Sequence, residues 1–460
     1  MNDILNQKGR RLWIKDPLSI FMISKQDANG GIVIEGDKIA ELIPLGRSPS
    51  LPVDQTFNAN EYIILPGLIN THHHFYQTLS RAFIDAQDKA LFPWLESSYP
   101  LWANLDDEMI FASTQTAIAE LLLSGCTTSV DHHYIFSEEM SHTIDIQIAA
   151  SKEMGGRVTL CRGSMSLGKG DGGLPPNNII QSEDNILEDS ERLLKKYHDK
   201  SDGSFNQIAL APCSPFSVSE ELMVSTAKLA RQYNVKVHTH LAETIDEENF
   251  CLEKFDCKPV DYLEKVGWLN NNTWLAHGIH FSSAEIKRLG EAGIGISHCP
   301  TSNMILSSGI CKTEELLRAG SRIGIGVDGS ASNDASNMII EVRQALLLQR
   351  LKYGAENVSH KKTLEWATKG SADIIGRQDI GEISVGKNAD LALFKHDELQ
   401  FSGSHDPLAS LILSGTNKAD RVMVAGEWVV SEGRLLQFDE KELMMKQNHQ
   451  TKRLLKKYKK

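Results

Sequence analysis

VKVHTHL (235–241), TWLAHG (273–278), GIGISHC (293–299) and RIGIGVDG (322–329) are short β-type runs separated by helical patterns, and they decide the fold. Four more of the same kind precede them: YIILPGLIN (62–70), CTTSVDHH (126–133), RVTLCRG (157–163) and QIALAP (207–212). The intervening stretches 106–124 (DDEMIFASTQTAIAELLLS) and 218–233 (VSEELMVSTAKLARQY) place apolar residues at helical spacing, with acidic residues in the first turn. Eight repeats of strand then helix place the chain in the α/β class as a closed parallel (β/α)₈ barrel of the TIM type. Outside this core, GGIVIEGDKIAELIPLG alternates apolar and polar positions around the Gly36-Asp37 turn. EISVGKNADLALF and RVMVAGEWVVSEGRLL alternate in the same way near the other end, so the two terminal pieces can pair into a small sheet. The Gly-rich segment 164–185 is long for a connection and is expected to form a lid over the barrel mouth.

Composition narrows the function. With 48 Lys+Arg against 60 Asp+Glu the net charge is −12, which opposes binding to a phosphate backbone and leaves single bases as possible ligands. The seven cysteines include no CxxC pair, which disfavours a disulfide framework or zinc finger and fits a reducing cytoplasm. Charged residues interrupt the first thirty positions and no 18 apolar residues run together, so neither secretion nor a membrane span is expected. The basic tail from Lys446 to Lys460 reads as a solvated terminal helix.

Residues two apart on a strand share a face, so His72 and His74 at the end of the first barrel strand can grip one ion. His240, His277 and Asp328 lie at or just beyond the ends of the fifth, sixth and eighth strands, and in such a barrel all eight C-terminal ends meet at one mouth. His73 faces the other way and reads as structural. His238 lies about two residues, or ~7 Å, deeper than His240 and reads as a core histidine. Asp131, His132 and His133 are open to a supporting role behind the metal or to substrate contact. Glu243, just past the fifth strand, can move protons or can simply start a helix.

PGLINTHHH, VHTHLAET, WLAHGIHF, SHCPTSNMILSSG and GVDGSASND, in that order over residues 66–334, resemble the amidohydrolase superfamily in its chlorohydrolase and cytosine/guanine-type deaminase branch. The resemblance covers nearly the whole chain. It implies a small β-sandwich built from both termini (1–62 and 373–436) around a barrel at 63–372, with the basic tail at 437–460. It further implies one divalent metal, zinc with Fe²⁺ as the alternative, held by His72, His74, His240 and Asp328. Asp328 would also take a proton from water, His277 would sit beside water and substrate, and Glu243 would shuttle the proton. Binuclear members bridge two metals with a fourth-strand lysine, which QIALAPC lacks.

A narrower resemblance comes from HHHFYQTLSRAF, PWLESSYPLW and APCSPFSV, which are similar to the 8-oxoguanine deaminases, a group also associated with isocytosine. It implies that Gln77 meets the amide edge of the base and Cys213 lies near C8; Gln77 can equally be a helix-surface residue and Cys213 an apolar filler. Trp94 and Tyr99 can stack on a flat ring or serve the core. The implied partners are a small nucleobase substrate and a second copy of the chain in a homo-oligomer, with no nucleic-acid polymer and no membrane. An s-triazine or guanine/cytosine-type aminohydrolase uses the same chemistry and is the competing reading, and a non-catalytic barrel scaffold the remaining one. GEISVGKN (381–388) is rejected as a phosphate loop, because Asn388 stands at the Ser/Thr place and a strand follows.

Overall fold

The computed structural model describes residues 9–137, 140 and 142–460. Eight parallel strands form the central sheet: β1 (Leu68–Asn70), β2 (Cys126–His133), β3 (Arg157–Ser164), β4 (Asn206–Pro212), β5 (Val237–Leu241), β6 (Thr273–His277), β7 (Gly295–His298) and β8 (Arg322–Ile325). They pair in sequence order, each next to its predecessor, as right-handed strand–helix–strand units require. The ring closes where the Thr71 N–H donates to the Ile325 carbonyl (3.0 Å) and the Asp328 N–H to the His72 carbonyl (3.0 Å). Gly326 sits at this seam: a Cβ there would lie 2.8 Å from His72 Cβ, so only glycine lets the first and last strands approach. Apolar side chains from the strands and the surrounding helices fill one continuous core.

The terminal pieces form two further sheets. Arg11–Lys15, Gly31–Glu35, Lys38–Ile43 and Gln55–Asn58 make one of four strands. Ser19–Ile20, Tyr62–Pro66, Leu391–Lys395, Arg421–Val424, Glu427–Ser431 and Arg434–Leu435 make the other. Ile14, Ile32 and Ile34 from the first pack with Ile64, Leu391 and Leu393 from the second, so the pair is a sandwich rather than a single sheet.

Two expectations change here. YIILPGLIN is not one barrel strand: Tyr62–Pro66 pairs antiparallel with Leu391–Lys395 in the sandwich, and only Leu68–Asn70 enters the barrel. The break falls at Pro66-Gly67, where the Gly67 N–H donates to the Asp390 carbonyl (2.8 Å) and a Cβ on Gly67 would strike Thr127. The basic C-terminal helix, Glu440–Tyr458, is docked rather than solvated on all sides. Leu443, Gln447 and Leu454 are buried, and Arg453 and Lys457 each reach Asp106 at 3.0 Å. A basic sequence conceals this because Leu454 and Gln447 mark a narrow face, set against the helix Asp107–Leu123. Among the described residues, no helix is long and apolar enough to cross a membrane.

Candidate metal centre and active site

Parallel register carries His240 next to Ala276, with His277 one step further along its own strand, so β5 and β6 deliver their histidines to adjoining levels of the same barrel mouth. His72, His74 and His240 present ring nitrogens within 4.8 Å of one another, and His72, His277 and Asp328 form an overlapping group. His72 Nε2 and His74 Nε2 lie 3.4 and 3.3 Å from Asp328 Oδ1, and His240 Nε2 lies 3.3 Å from His74 Nε2.

The remaining ring nitrogens fix the tautomers. A carbonyl oxygen only accepts, so His74 Nδ1–H donates to the His132 carbonyl (2.7 Å) and His240 Nδ1–H to the Cys213 carbonyl (2.7 Å). His238 Nδ1–H donates to the Trp274 carbonyl (2.9 Å), leaving its Nε2 lone pair to accept from His72 Nδ1–H at 2.7 Å. His72 and His74 thereby turn an Nε2 lone pair toward the Asp328 carboxylate and His240 turns its own toward His74 Nε2, and the buried His72 Nε2 has no hydrogen-bond partner. Three neutral imidazoles and one carboxylate are the donor set of a divalent transition-metal site. Burial pushes the His72 and His240 pKa values down, keeping both rings in the neutral form that a metal needs. The group His72, His132 and His238 also lies close together, but the His72–His238 hydrogen bond makes it a relay supporting the first cluster.

His238 is therefore more than a core filler. Replacing it with Phe is expected to weaken metal binding by about 10–100-fold, with partial recovery in His238→Gln, which restores an acceptor. Chelator competition measures this, and unchanged affinity in His238→Phe would remove the relay from the account.

Asp328 and His277 both adopt left-handed backbone, at φ 63° and 68°, where non-glycine residues are strained by about 1–3 kcal/mol. Strain of this kind is kept where the surroundings dictate the conformation. Asp328 Oδ2 accepts from Ser302 Oγ (2.6 Å) and Ser332 Oγ (3.2 Å), and Oδ1 accepts from the Gly329 N–H (2.7 Å). Burial opposes ionisation of Asp328, yet its pKa is shifted far downward and the carboxylate stays ionised, with Ser302, Ser332 and the Gly329 N–H donating to it. His277 Nδ1 pairs with Asn303 Oδ1 at 2.9 Å, and its Nε2 faces Glu243 Oε2 (3.4 Å) and Asp328 Oδ2 (3.9 Å). Burial lowers the His277 pKa, yet the Glu243 and Asp328 carboxylates reverse this and favour the imidazolium.

Glu243 is almost fully buried and is not a helix-start carboxylate, because the following helix begins at Ile245. Its Oε1 accepts from Ser308 Oγ (3.1 Å), while the Ala242 and Glu243 N–H groups donate to the Glu247 carboxylate at 2.8 and 3.4 Å. Burial raises its pKa against the opposing pull of His277, which favours the protonated carboxyl.

These groups line one end of a cavity of ≈ 400 Å³, counting the part open to solvent. Gln77, Trp94, Tyr99, Cys213 and Phe216 line the rest. Gln77 is fully buried rather than on a helix surface. Its Oε1 accepts from the Ala331 N–H (3.3 Å), and its Nε2 donates one N–H to the Tyr76 hydroxyl (3.5 Å) and has a second to offer. Burial pushes the Cys213 thiol up to about 12, so it is a neutral S–H. Trp94 and Tyr99 belong to the cavity wall as well as to an aromatic cluster with Trp102.

The roof is not the segment expected. Helix Leu91–Trp102 covers the cavity through Leu91, Trp94, Leu95 and Tyr99, and Trp94 Nε1 donates to the Ala331 carbonyl at 3.3 Å. Segment 164–185 contributes no lining residue; it packs outside, with the Leu174 N–H on the Phe216 carbonyl and Lys169 on Glu96. Its glycines signal length without saying which way the loop runs.

Other sequence candidates take supporting places. His73 Nε2 pairs with Ser336 Oγ at 2.8 Å, away from the cluster. Asp131 is held by the Phe75 N–H and Gln147 Nε2, both at 2.6 Å, and burial raises it to about 6. His132 packs beneath His240 and His133 bonds the Ile135 carbonyl, so neither lines the cavity. The residues not singled out beforehand are Ser302, Asn303, Ser308 and Ser332, which hold the acids and His277. Three of them fall within SHCPTSNMILSSG, but nothing in their spacing marks a hydroxyl that will meet a carboxylate.

The architecture and site define a class. The Amidohydrolase family matches residues 63–429, and the chain belongs to that family. More particularly, it is 58% identical to the 8-oxoguanine deaminase of Pseudomonas aeruginosa, over 92% of this chain and 94% of that one. It is 35% identical to hydroxydechloroatrazine ethylaminohydrolase of Pseudomonas sp. strain ADP, over 87% of this chain and 85% of that one. Among solved structures, atrazine chlorohydrolase from Arthrobacter aurescens TC1 complexed with zinc is similar at a TM-score of 0.90 and 30% identity, covering 96% of this chain and 100% of that one.

Proposed function

We propose that this chain is a metal-dependent hydrolytic deaminase that converts 8-oxoguanine to urate and ammonia, acts on isocytosine too, and uses one zinc ion per chain. The carrying observation is the placement of Glu243 and His277 beside a cluster of three Nε2 lone pairs and the Asp328 carboxylate, inside one cavity. The 58% identity to an 8-oxoguanine deaminase supports the choice of base, and the zinc in a structural neighbour supports the choice of metal. QIALAPC offers no lysine to bridge a second ion, in keeping with a single metal held by His72, His74, His240 and Asp328.

His72, His74, His240 and Asp328 would hold a divalent cation, which would supply a water acidic enough to act as nucleophile at neutral pH. Asp328, ionised and fixed by Ser302 and Ser332, accepts the proton that the attacking water loses. Glu243 delivers a proton to the ring nitrogen beside the amino-bearing carbon, which makes that carbon electrophilic. His277, held by Asn303, orients the water and balances the negative charge that develops at the carbon's new oxygen. Collapse of the tetrahedral carbon expels ammonia, with Glu243 and Asp328 handling the protons. Gln77 donates its amide N–H to the carbonyl of the base's amide edge, and Cys213 faces the oxygen at C8.

Ammonia release from 8-oxoguanine, isocytosine, guanine, cytosine and an aminotriazine by the zinc-loaded protein tests the reading. Rapid release from 8-oxoguanine and isocytosine with little from guanine is expected; release from the triazine alone would replace the nucleobase assignment. In the same assay Cys213→Ala is expected to lower the 8-oxoguanine to guanine rate ratio by about 3–10-fold, the worth of one neutral hydrogen bond. An unchanged ratio would remove Cys213 from the C8 contact.

A further inference from the structure

Buried polar atoms in native proteins are almost always paired, and one that is not demands a reason. Among the described residues, the Tyr99 hydroxyl is the one buried side-chain polar atom of the cavity wall without a hydrogen-bond partner. Tyr99 is only 1% exposed, lies on the roof helix Leu91–Trp102, and has its ring held against Trp102 at a centroid distance of 6.0 Å. Burial, reinforced by the nearby Cys213 and Tyr76, keeps the phenol protonated. The neighbouring Cys213 thiol is neutral for the same reason. One wall therefore presents two neutral donors, the Tyr99 O–H and the Cys213 S–H, the latter 3.9 Å from His240 Nδ1.

We propose that Tyr99 is a specificity-determining residue whose hydroxyl donates to the exocyclic oxygen at C8 of the purine, completing with Cys213 a pair of donors for its two lone pairs. The inference rests on the 8-oxoguanine reading. A carbonyl oxygen accepts from two donors at once, whereas the C8–H of guanine accepts from none and leaves the Tyr99 hydroxyl buried and unpaired. Sites built to hydrogen-bond a substrate group reject the analogue lacking it far more strongly than apolar pockets do. The unpartnered hydroxyl is thus the free protein's share of that discrimination.

The test is Tyr99→Phe in the full-length, zinc-loaded protein, with kcat/KM measured for 8-oxoguanine, guanine and isocytosine, and with the melting temperature measured without substrate. Both the 8-oxoguanine to guanine and the 8-oxoguanine to isocytosine ratios are expected to fall by about ten-fold or more, because isocytosine has no second ring to reach Tyr99. Removing an unpaired buried hydroxyl leaves the melting temperature unchanged or raises it by ~1–2 °C. Unchanged ratios overturn the proposal. So does a variant that melts markedly lower or fails to fold, because the hydroxyl would then have a structural partner. A wild-type protein that releases no ammonia from 8-oxoguanine refutes the functional reading itself, an outcome seen before the variant is made.

Discussion

Glu243→Gln is expected to lower kcat for deamination by about 10²–10⁴-fold, the usual worth of a positioned acid or base, while metal content and melting temperature stay unchanged. The substitution is isosteric. Gln keeps an oxygen for the Ser308 hydroxyl, and its backbone N–H keeps the contact with Glu247, so the loop need not move. What is lost is the exchangeable proton, which both the ring nitrogen and the departing amine require. Metal analysis beside steady-state kinetics checks the result. A variant with full metal and wild-type kcat would show that protons reach the base by another route.

Asp328→Asn is expected to be at least as severe, with activity down by ~10³-fold or more and metal binding weakened as well. Asp328 is the point on which the cluster converges: two histidine Nε2 atoms face its Oδ1, and two serine hydroxyls donate to its Oδ2. Asn removes the only negative charge of the ligand set and puts an N–H where the carboxylate accepted from hydroxyl or backbone donors. Either Ser302 and Ser332, which donate to Oδ2, or the Gly329 N–H, which donates to Oδ1, must then face an N–H. The fold should survive, because the backbone bond from the Asp328 N–H to the His72 carbonyl that helps close the barrel does not involve the side chain. Equal loss of metal and activity separates this variant from Glu243→Gln, which keeps the metal. Retained metal with full turnover in Asp328→Asn would remove the residue from both roles.

The barrel was legible because each strand is a short apolar run and each helix carries its own periodicity, features that need no partner to be recognised. The convergence of His72, His74, His240, His277 and Asp328 was legible for a topological reason. Parallel strands in a closed barrel all end at one mouth, so position along a strand already fixes proximity. What depends on contacts between distant residues was not legible. Pro66-Gly67 divides a nine-residue apolar run between two sheets only because Asp390 and Leu391–Lys395 lie alongside it. Ser302 sits in the short helix Pro300–Ile305 and Ser332 in a turn, with no period to mark their hydroxyls, and the support His238 gives His72 depends on a carbonyl at Trp274. Likewise, the roof turned out to be the aromatic helix Leu91–Trp102, whose core-like composition hides its second face in the cavity.

The most direct test follows urate and ammonia together during incubation of 8-oxoguanine with protein whose zinc content has been measured. The account predicts one urate and one ammonia per 8-oxoguanine consumed, at a rate proportional to zinc up to one ion per chain and abolished when a chelator removes it. Absence of urate from protein carrying one zinc per chain, or a rate indifferent to zinc removal, would contradict it.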